Sequence, residues 1–436
     1  MHIPAEPRQT PILAATAASV EQAASVEQAA PGELEALLWR ALAAEHWPLP
    51  REGLPPGTAL VGGAVRDALL GRLRARPDLD LVVSHGAIRL ARDLARQQGG
   101  TCVVLDAERD MARLVLGGWT IDLARQQGPD LSADLQRRDY SANALALPLQ
   151  AGGRLLDPTG GLDDLRRGQL VAVSEANLLD DPLRLLRGVR LAWELGLELD
   201  ATSLGWIGCH AERLGEVAGE RVLAELERLA ASSEGHQGLA QALSLGLLQR
   251  WGTDPAAGVP LADLGQAAAA ERGLGRADTL RLLPLARLAT LLPGAAVRQL
   301  RGSRRLEHSC SRLRRWWAEL QDGSAGLDGL GEASRLQLQQ ELEGELPALL
   351  LRLPLPGARE AVLHWHDPDH PLFHPRPPLN GEDLGKALGL AAGPQLGALL
   401  HYLCLERAFG RIPPAGAGQR DQALLSARRW LDSRRG

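Results

Sequence analysis

Hydrophobic and polar positions in the first half of the chain follow two periods in alternation. Short apolar runs bounded by Gly, Pro or charged residues predict strands, and apolar residues recurring every three or four positions predict helices. Helices are predicted over 64–72, closed by Gly71, and over 87–95. This alternation is typical of a mixed α/β sheet domain. The predicted strands are T-A-L-V (58–61), L-D-L-V-V (79–83), T-C-V-V-L (101–105), A-R-L-V-L (112–116) and T-I-D-L-A (120–124).

The pattern changes after Ser174, where Leu, Ala and Arg recur at helical spacing with Gly and Pro breaks as far as the C-terminus. It predicts an all-α second half, built as several small bundles. At the other end, an Ala- and Gln-rich segment repeats A-A-S-V-E-Q in tandem and is predicted to be disordered. The predicted domains are a disordered tail (1–32), an α/β head (33–173), a helical neck (174–236), a helical body (237–360) and a helical tail (361–436).

Composition narrows the class of protein. The 436 residues suggest more than one domain, and a net charge of −5 argues against indiscriminate nucleic-acid binding. The four cysteines are far apart, which favours free thiols in a reducing compartment over disulfides or a zinc site. No apolar run has transmembrane length and no secretory signal is visible, so we expect no membrane partner and a cytoplasmic protein.

Two aspartates interrupt an apolar strand. Asp78 and Asp80 would point to the same face, where like charges destabilise each other unless a cation lies between them. Just upstream, L-V-G-G-A-V-R-D brings Gly62 and Gly63 to a strand–helix junction, where backbone N–H groups can approach a phosphate and Arg66 can add a contact. Together they predict a divalent metal bound to a triphosphate. The alternatives are a solvated edge strand and a purely structural Gly-Gly turn.

Several motifs occur in one order: G-G-A-V-R-D, D-L-D-L-V-V, R-R-D-Y-S-A-N, D-P-T-G-G-L-D-D-L and D-D-P-L-R-L-L-R-G-V-R, with P-P-L-N-G-E-D-L-G towards the C-terminus. The series resembles the class II tRNA nucleotidyltransferase/poly(A) polymerase family, and the last segment is similar to the tail of bacterial CCA-adding enzymes. The resemblance implies a nucleotidyltransferase head in which Asp78 and Asp80 hold two Mg²⁺ ions. Asp122 would be a third carboxylate and the general base for the tRNA 3′-hydroxyl; a strand-end Asp in solvent is the alternative.

The resemblance also implies a nucleotide site. Gly62, Gly63 and Arg66 would contact the triphosphate. Arg138 would bind the nucleotide, and Asp139 would order the loop or a sugar contact. Asn143 would hold the ribose, or be a plain polar helix residue.

The helix predicted to begin at Asp181 carries the residues that would choose the base. Asp181 and Arg184 can imitate a Watson–Crick edge, since Asp accepts from an exocyclic amine and Arg donates to ring nitrogen or carbonyl. In the family this pair selects C or A. Arg187 and Arg190 would help hold phosphates or the base stack. The plainer interpretation of the four residues is a solvated Arg face with a capping Asp.

The segment R-Q-Q-G-P-D-L-S-A-D-L-Q, 125–136, departs from the family pattern. Full CCA-adding members carry a longer flexible loop here, and its loss is associated with enzymes that add two C residues and leave the final A to a relative. We therefore expect C addition to the acceptor arm of tRNA from CTP, with full CCA addition from CTP and ATP as an open outcome. The rivals are a poly(A) polymerase acting on general RNA 3′ ends and a non-catalytic RNA-binding relative.

Two later segments have open interpretations. The basic run 301–317 could grip the tRNA backbone or form a solvated helix face with its tryptophans packed inside. The His- and Asp-rich stretch 364–370 is interpreted as a polar linker rather than a metal-dependent phosphohydrolase site.

Overall fold

The computed structural model describes residues 32–321, 326–353, 355–413, 416 and 418–434. The tail predicted to be disordered, 1–32, lies outside the described residues except for Gly32. The chain divides into two compact units, Met1–Val217 and Ala218–Gly436. The predicted head and most of the predicted neck therefore fall in the first unit. The finer division into head, neck, body and tail stays a prediction.

The first unit contains the mixed sheet that the sequence predicts. Its six strands are numbered along the chain, and their order across the sheet is β3-β4-β5-β2-β1-β6. The pairing of β2 with β5 is parallel, and the other pairings are antiparallel. All five predicted strands are present, and β6 is an addition. The strands are β1 (Ala59–Val61), β2 (Leu79–Val83), β3 (Thr101–Asp106), β4 (Met111–Leu116), β5 (Trp119–Arg125) and β6 (Ala146–Pro148).

The described part of the first unit also contains eight α-helices. They are α1 (Glu33–Leu42), α2 (Gly63–Leu69), α3 (Ala87–Gln98), α4 (Leu131–Leu135), α5 (Gly161–Arg166), α6 (Glu175–Asp180), α7 (Leu183–Leu195) and α8 (Ala201–Cys209). The amphipathic helix α3 covers one face of β3, β4 and β5, where Ala112, Leu114 and Leu123 are fully buried.

The opposite face of the sheet is only partly covered. Small and branched residues of β1, β2 and β6 pack there against the segment that follows β5. This packing ends near the middle of β2. On the other side of β2, strands β5 and β4 therefore leave polar residues accessible on that face. The buried residues of this small core are Ala59, Val61, Val82, Leu135, Ala144 and Ala146.

The region after Ser174 is helical with one exception in the first unit. A two-residue strand, β8 (Glu198–Leu199), pairs in parallel with β7 (Gln169–Leu170). The described part of the second unit is built from helices alone, as predicted. They are α9 (Gly219–Ala231), α10 (Gly235–Ser244), α11 (Gly258–Ala262), α12 (Gln266–Glu271), α13 (Arg276–Leu291), α14 (Gly294–Gln299), α15 (Arg304–Gln321), α16 (Glu332–Leu342), α17 (Leu346–Leu350), α18 (Leu355–His366), α19 (Gly381–Leu388), α20 (Pro394–Ala408) and α21 (Gln419–Asp432).

The basic run 301–317 forms most of α15, and its two tryptophans are buried. Several of the arginines on and beside this helix form ion pairs with glutamates, so much of their charge is compensated within the unit. The structure thus favours a packed helix with a paired polar face. The pairs are Arg298–Glu307, Arg301–Glu220, Arg312–Glu345 and Arg315–Glu341.

The His-rich stretch follows from the end of α18. The rings of His364 and His370 are tilted by 32° with centroids 4.7 Å apart, and His370 packs edge-on against Phe373. Within the described residues, no group of three or more His, Cys, Asp or Glu side chains is arranged to hold a metal ion. Likewise, none of the described helices has both the length and the hydropathy that crossing a bilayer requires.

Candidate active site

A row of carboxylates crosses the accessible face of the sheet. Asp80 of β2 is the parallel partner of Asp122 in β5, so both side chains lie on the same face. Asp78 comes one residue before β2 and is exposed, so the prediction that it lies inside the strand is wrong by one position. The strand nevertheless brings Asp78, Asp80 and Asp122 to the same part of the sheet.

Asp80 lies in an environment that opposes its charge. Burial raises the pKa of this carboxyl to about 6, and the nearby Asp122 and Asp78 act in the same direction. Arg138 and Arg187 act the other way and compensate only in part. The site therefore disfavours the ionised form of Asp80, and a bound cation would stabilise that form.

Arg113 of β4 is a member of this row that the sequence interpretation missed. Its Nε and Nη2 donate to the two carboxylate oxygens of Asp122, both at 2.8 Å. This bidentate bond is the main reason that the pKa of Arg113 is raised. The signal was present in A-R-L-V-L, because period two places Arg113 on the face opposite the buried Ala112 and Leu114.

The donors present fit a divalent metal of the kind that the family implies. Carboxylate oxygens are the ligands that Mg²⁺ prefers, and Mg²⁺ is usually held by one or two carboxylates while phosphates and water complete its shell. Asp80, with Asp78 beside it, matches that pattern. The third carboxylate, Asp122, is held by Arg113, which agrees with the absence of a closed three-ligand group among the described residues.

A glycine turn lies directly beside Asp80. Gly62 follows β1 with φ of 71° and donates its N–H to the Leu145 carbonyl at 3.1 Å. A Cβ at this position would lie 3.2 Å from Arg138 Nη1 and 3.6 Å from Asp80 Oδ2. Glycine is favoured here by its positive φ, and its small size lets Arg138 and Asp80 approach the backbone. The turn, the carboxylate and the arginine thus form one wall.

A hydrogen-bonded chain connects this wall to the helices that follow. Arg66 Nη1 donates to Asn143 Oδ1 at 2.5 Å, and Asn143 Nδ2 donates to Asp139 Oδ1 at 3.1 Å. Asp139 Oδ2 then pairs with Arg187 Nε of α7 at 3.0 Å. Asn143 lies in a single 3-10 turn, Ser141–Asn143, rather than in a helix. Four of the predicted nucleotide residues are therefore parts of one network.

Asp139 is the centre of that network. Burial acts to raise its pKa, but Arg187, the Asn143 amide and the Tyr140 N–H together outweigh burial and hold the pKa below its usual range. The carboxylate is therefore ionised and fully bonded at neutral pH. Asp139 fixes the R-R-D segment against α7, which agrees with the loop-ordering role predicted for it.

The helix predicted to begin at Asp181 begins instead at Leu183. Asp181 ends α6 in an extended conformation, and Pro182, whose ring favours the start of a helix, is the N-cap of α7. Asp181 therefore precedes the helix and is not part of an arginine face on it. On α7, Arg187 is largely exposed, whereas Arg190 is buried and forms an ion pair with Glu194.

Arg184 links the start of α7 to the R-R-D segment. Its Nη1 donates to the carbonyl oxygens of Arg137 at 3.0 Å and Asn177 at 2.8 Å. Asn177 in turn donates to the carbonyls of Gln136 and Arg138 at 2.8 Å and 2.7 Å. These bonds fix the guanidinium of Arg184 close to Arg138.

Tyr140 is a second residue that the sequence interpretation missed. It is fully buried, burial raises its pKa well above the usual value, and its hydroxyl donates to the Arg184 carbonyl at 2.9 Å. The contact depends on Gly188, since a Cβ there would lie 1.8 Å from the tyrosine oxygen. Tyr140 and Gly188 thus set the distance between the R-R-D segment and α7.

The connection from β5 to the R-R-D segment is short and held at several points. Between β5 and α4 lie residues 126–130, and Asp130 caps α4 by accepting from the Ala133 N–H at 2.8 Å. Asp134 accepts from the Gln127 N–H at 2.8 Å and from Arg138 Nη2 at 3.2 Å. This stretch has no room for a long loop beside the carboxylates.

This chain is similar in sequence and in fold to known proteins. The family model of the Poly A polymerase head domain matches residues 121–171. A CC-adding tRNA nucleotidyltransferase from Synechocystis sp. is 36% identical over 386 residues, which cover 82% of this chain and 91% of the relative. The chain belongs to the tRNA nucleotidyltransferase family. Its predicted membership is confirmed.

Members of this family differ in the nucleotide that they add. An A-adding tRNA nucleotidyltransferase from Deinococcus radiodurans is 41% identical over 206 residues, 46% of each chain. The fold is also similar to that of solved structures. A CCA-adding enzyme from Thermotoga maritima, solved in complex with tRNA, matches with a TM-score of 0.66 and 20% identity. The match covers 95% of this chain and 98% of that one. The predicted α/β head with a helical remainder is thereby confirmed, while the roles of individual residues stay predictions.

Proposed function

We propose that this protein adds C residues to the 3′ end of tRNA from CTP and stops at CC. In this reaction the tRNA 3′-oxygen bonds to the α-phosphorus, the bond from that phosphorus to the β-phosphate oxygen breaks, and pyrophosphate leaves. Two Mg²⁺ ions, held by Asp78 and Asp80 together with the triphosphate, would supply charge stabilisation of the phosphates. The arrangement that supports this chemistry is the carboxylate row beside the Gly62–Gly63 turn.

The protein side chains have separate tasks in this proposal. The Gly62–Gly63 turn, with Arg66 and Arg138, binds and orients the triphosphate, and Asn143 holds the ribose. The backbone donor in this turn is the Gly63 N–H, because the Gly62 N–H is bonded to the Leu145 carbonyl. Asp122 accepts the proton of the 3′-hydroxyl. Each of its oxygens keeps a second lone pair beside its bond from Arg113, so the bidentate bond leaves capacity for that proton.

The choice of base is assigned to Asp181 and Arg184. Both bonds from Arg184 to backbone carbonyls come from Nη1, so Nε and Nη2 are the donors that would read a base edge. Asp181 would accept from the exocyclic amine. Arg187, which forms an ion pair with Asp139, would contact a phosphate or the base stack. Arg190, which is buried, would support α7.

The observation that carries the preference for CC over CCA is the short, bonded connection between β5 and α4. Repositioning the base-reading pair for a larger purine requires a movable segment beside it. Here that position is occupied by the five residues 126–130, which are held in place by hydrogen bonds to the carboxylates of Asp130 and Asp134. The CC-adding relative, aligned over most of the chain, supports the same conclusion.

The test uses purified protein, Mg²⁺ and three tRNA transcripts that end before CCA, after C and after CC. Each is offered CTP, ATP or both, and extension is resolved to single nucleotides. Extension that stops at CC supports the proposal, and full CCA would show that another segment replaces the loop. A ladder of A residues on unrelated RNA would favour the poly(A) polymerase rival, and no incorporation at all would favour a non-catalytic RNA-binding protein.

The metal assignment has its own test. We expect Asp78→Ala and Asp80→Ala each to abolish incorporation of C, since each removes a carboxylate that would hold a cation, while the circular dichroism spectrum stays that of the wild type. The control is Asp163→Ala, a largely exposed aspartate on α5. Turnover near the wild-type rate in either site variant would contradict the assignment.

A further inference from the structure

The carboxylate row continues outward across the sheet into an apolar surface. In the strand register, Asp80 pairs with Asp122, Asp122 with Arg113, and Arg113 with Val103. Directly paired residues share a face, so Val103 lies on the active-site face of β3. Val115, two residues beyond Arg113 on β4, lies on the same face. We call Val103 and Val115 the valine patch.

The valine patch is unusually exposed for aliphatic side chains in a sheet. Val103 is 48% exposed and Val115 is 42% exposed. On the other face, which α3 covers, Ala112 and Leu114 of β4 are completely buried, whereas Val104 of the edge strand β3 remains 39% exposed. Exposed apolar side chains that adjoin a polar site often mark a binding surface.

The nucleotide-binding groups lie on the other side of the carboxylates. Gly62 follows β1, and Arg66, Arg138 and Asn143 gather around that turn, next to β1 and β6. An incoming nucleotide bound there has its α-phosphate at Asp80. In-line displacement requires the attacking oxygen and the leaving pyrophosphate to lie on opposite sides of that phosphorus. The primer must then approach over β5, β4 and β3.

We propose that the valine patch binds the base of the last nucleotide of the tRNA primer. This inference rests on the proposed function and deepens it by locating the acceptor strand. Neighbouring strands are about 4.8 Å apart, so Val103 lies about 10 Å from Asp122, a distance that one nucleotide can span from its 3′-hydroxyl to its base. Aliphatic side chains make contact with the flat face of any base, which suits a primer whose last base differs among tRNAs.

Two guanidinium groups lie near the patch, and that of Arg113 is paired with Asp122. Arg113 lies between the valine patch and Asp122. Arg76 is exposed, and its Nη1 lies 2.7 Å from the place that a Cβ would occupy on Gly118, in the turn that links β4 to β5. An apolar surface with guanidinium groups at two of its borders matches a base with its phosphates better than it matches a purely apolar partner.

A second copy of the chain is the competing occupant, because β3 is an edge strand. The register of β3 against β4 shifts between Val104 and Asp106. Such a bulge interrupts the regular row of hydrogen-bonding groups and is a device that discourages pairing along an edge. Together with the continuity of the patch and the carboxylate row, it favours RNA as the occupant.

Two adjacent valines provide a matched pair of variants. Val103 faces the active site, whereas Val104 pairs with the buried Ala112 and so faces α3 at the sheet edge, where it is 39% exposed. Val103→Asn and Val104→Asn remove the same apolar group from the same strand at similar exposure. They differ in the face that they alter.

The experiment measures KM for tRNA and for CTP separately with the full chain, and the affinity for a tRNA ending in a 3′-deoxy nucleotide by fluorescence anisotropy. For Val103→Asn we expect KM for tRNA and the dissociation constant to rise about fivefold while KM for CTP stays within twofold. Val104→Asn should change none of the three beyond twofold.

Three results would overturn the inference. One is a Val103→Asn enzyme with unchanged KM for tRNA. The second is an equal loss in both variants, which would point to the edge strand rather than its face. The third is a change of oligomeric state in sedimentation that parallels the loss, which would place a second copy of the chain on the patch. A wild-type protein that extends no tRNA would instead overturn the proposed function.

Discussion

Asp80 combines two requirements that conflict in the metal-free protein. It must be accessible enough to bind a cation, yet the strand that positions it is buried among apolar neighbours. Burial and the two adjacent carboxylates raise its pKa to about 6, above the ordinary value of 3.8. At pH 8 without metal, the site therefore contains an ionised carboxylate that the fold does not fully stabilise.

This conflict predicts a pH-dependent effect of Asp80→Asn. Because the folded pKa is raised, wild-type Asp80 contributes stability fully below the unfolded pKa and loses that contribution as pH rises through about 6. Asn resembles the protonated acid at every pH. We expect the variant to exceed the wild type in free energy of unfolding by on the order of 3 kcal/mol at pH 8 and by about half as much at pH 5.

The measurement is urea unfolding in EDTA at both pH values. Asp163→Asn on the exposed side of α5 serves as the control for the substitution itself. A difference between Asp80→Asn and the wild type that is the same at pH 5 and pH 8 would contradict the proposed cause.

Arg113 offers a second prediction at this scale. It occupies both oxygens of Asp122 and places a positive charge beside the cation site. Arg113→Gln removes that charge and frees the carboxylate, so we expect the affinity for Mn²⁺ alone to rise about fivefold. Electron paramagnetic resonance of free Mn²⁺ measures it directly in the absence of nucleotide.

The control for Arg113→Gln is Arg109→Gln, which removes an exposed arginine paired with Asp106 in the turn between β3 and β4. It should leave Mn²⁺ affinity unchanged. A weaker affinity in Arg113→Gln would mean that the arginine orients Asp122 towards the metal instead of competing with it.

Among the elements, α7 determines how the site is assembled. It is joined to the R-R-D segment by the Arg187–Asp139 ion pair, by the bonds of Arg184 and by the hydroxyl of Tyr140. The close approach that permits these contacts occurs at Gly188, in the middle of the helix. Glycine is unfavourable at such a position by itself, so its presence indicates a packing requirement.

Gly188→Ala should therefore be strongly destabilising. The added methyl group would lie 1.8 Å from the Tyr140 oxygen, so α7 or the tyrosine must move. We expect a loss of about 2–4 kcal/mol in the free energy of unfolding. Gly205→Ala in α8 is the matched control, since a Cβ there meets nothing within 4 Å and should stabilise the helix by about 0.5–1 kcal/mol. Thermal and urea unfolding measure both variants. An equal change in stability in Gly188→Ala and Gly205→Ala would refute this account.

The sequence predicts elements better than it predicts their connections. All five predicted strands form, because each is a short apolar run with β-branched or bulky residues. The strand β6 was missed because A-L-P is short and contains proline, and its place beside β1 comes from tertiary pairing. The start of α7 was misplaced because periodicity ran through Pro182.

The candidate site shows the same limit. The resemblance to the family pointed to Asp80, Asp139 and Arg187 as site residues, which stays a prediction, and their partners are set by the fold. Arg113 bonds Asp122 across a hairpin, and Tyr140 bonds a carbonyl 44 residues away. The alternation in β4 indicated the face of Arg113, whereas the Tyr140 contact has no local signal because it depends on which helix becomes a neighbour.

At the scale of the whole molecule, the division at Val217 separates the chemistry from much of the helical chain. Every residue assigned here to metal, triphosphate, base or primer binding lies in the first unit, which has its own sheet and core. The second unit, Ala218–Gly436, has separate apolar clusters, such as the one around Leu399 and Leu403. The predicted body and tail, which would bind the rest of the tRNA, lie entirely in that second unit.

This division predicts two separable activities. The segment 32–217, produced alone, should unfold cooperatively and bind CTP in the presence of Mg²⁺ with a dissociation constant within about threefold of that of the full chain. Its KM for tRNA should rise more than tenfold, since phosphate contacts outside the site are lost. Calorimetry measures CTP binding, and primer extension measures KM. The same segment with Asp80→Ala controls for binding outside the site, and a fragment that binds CTP only when joined to 218–436 would show that the second unit completes the nucleotide site.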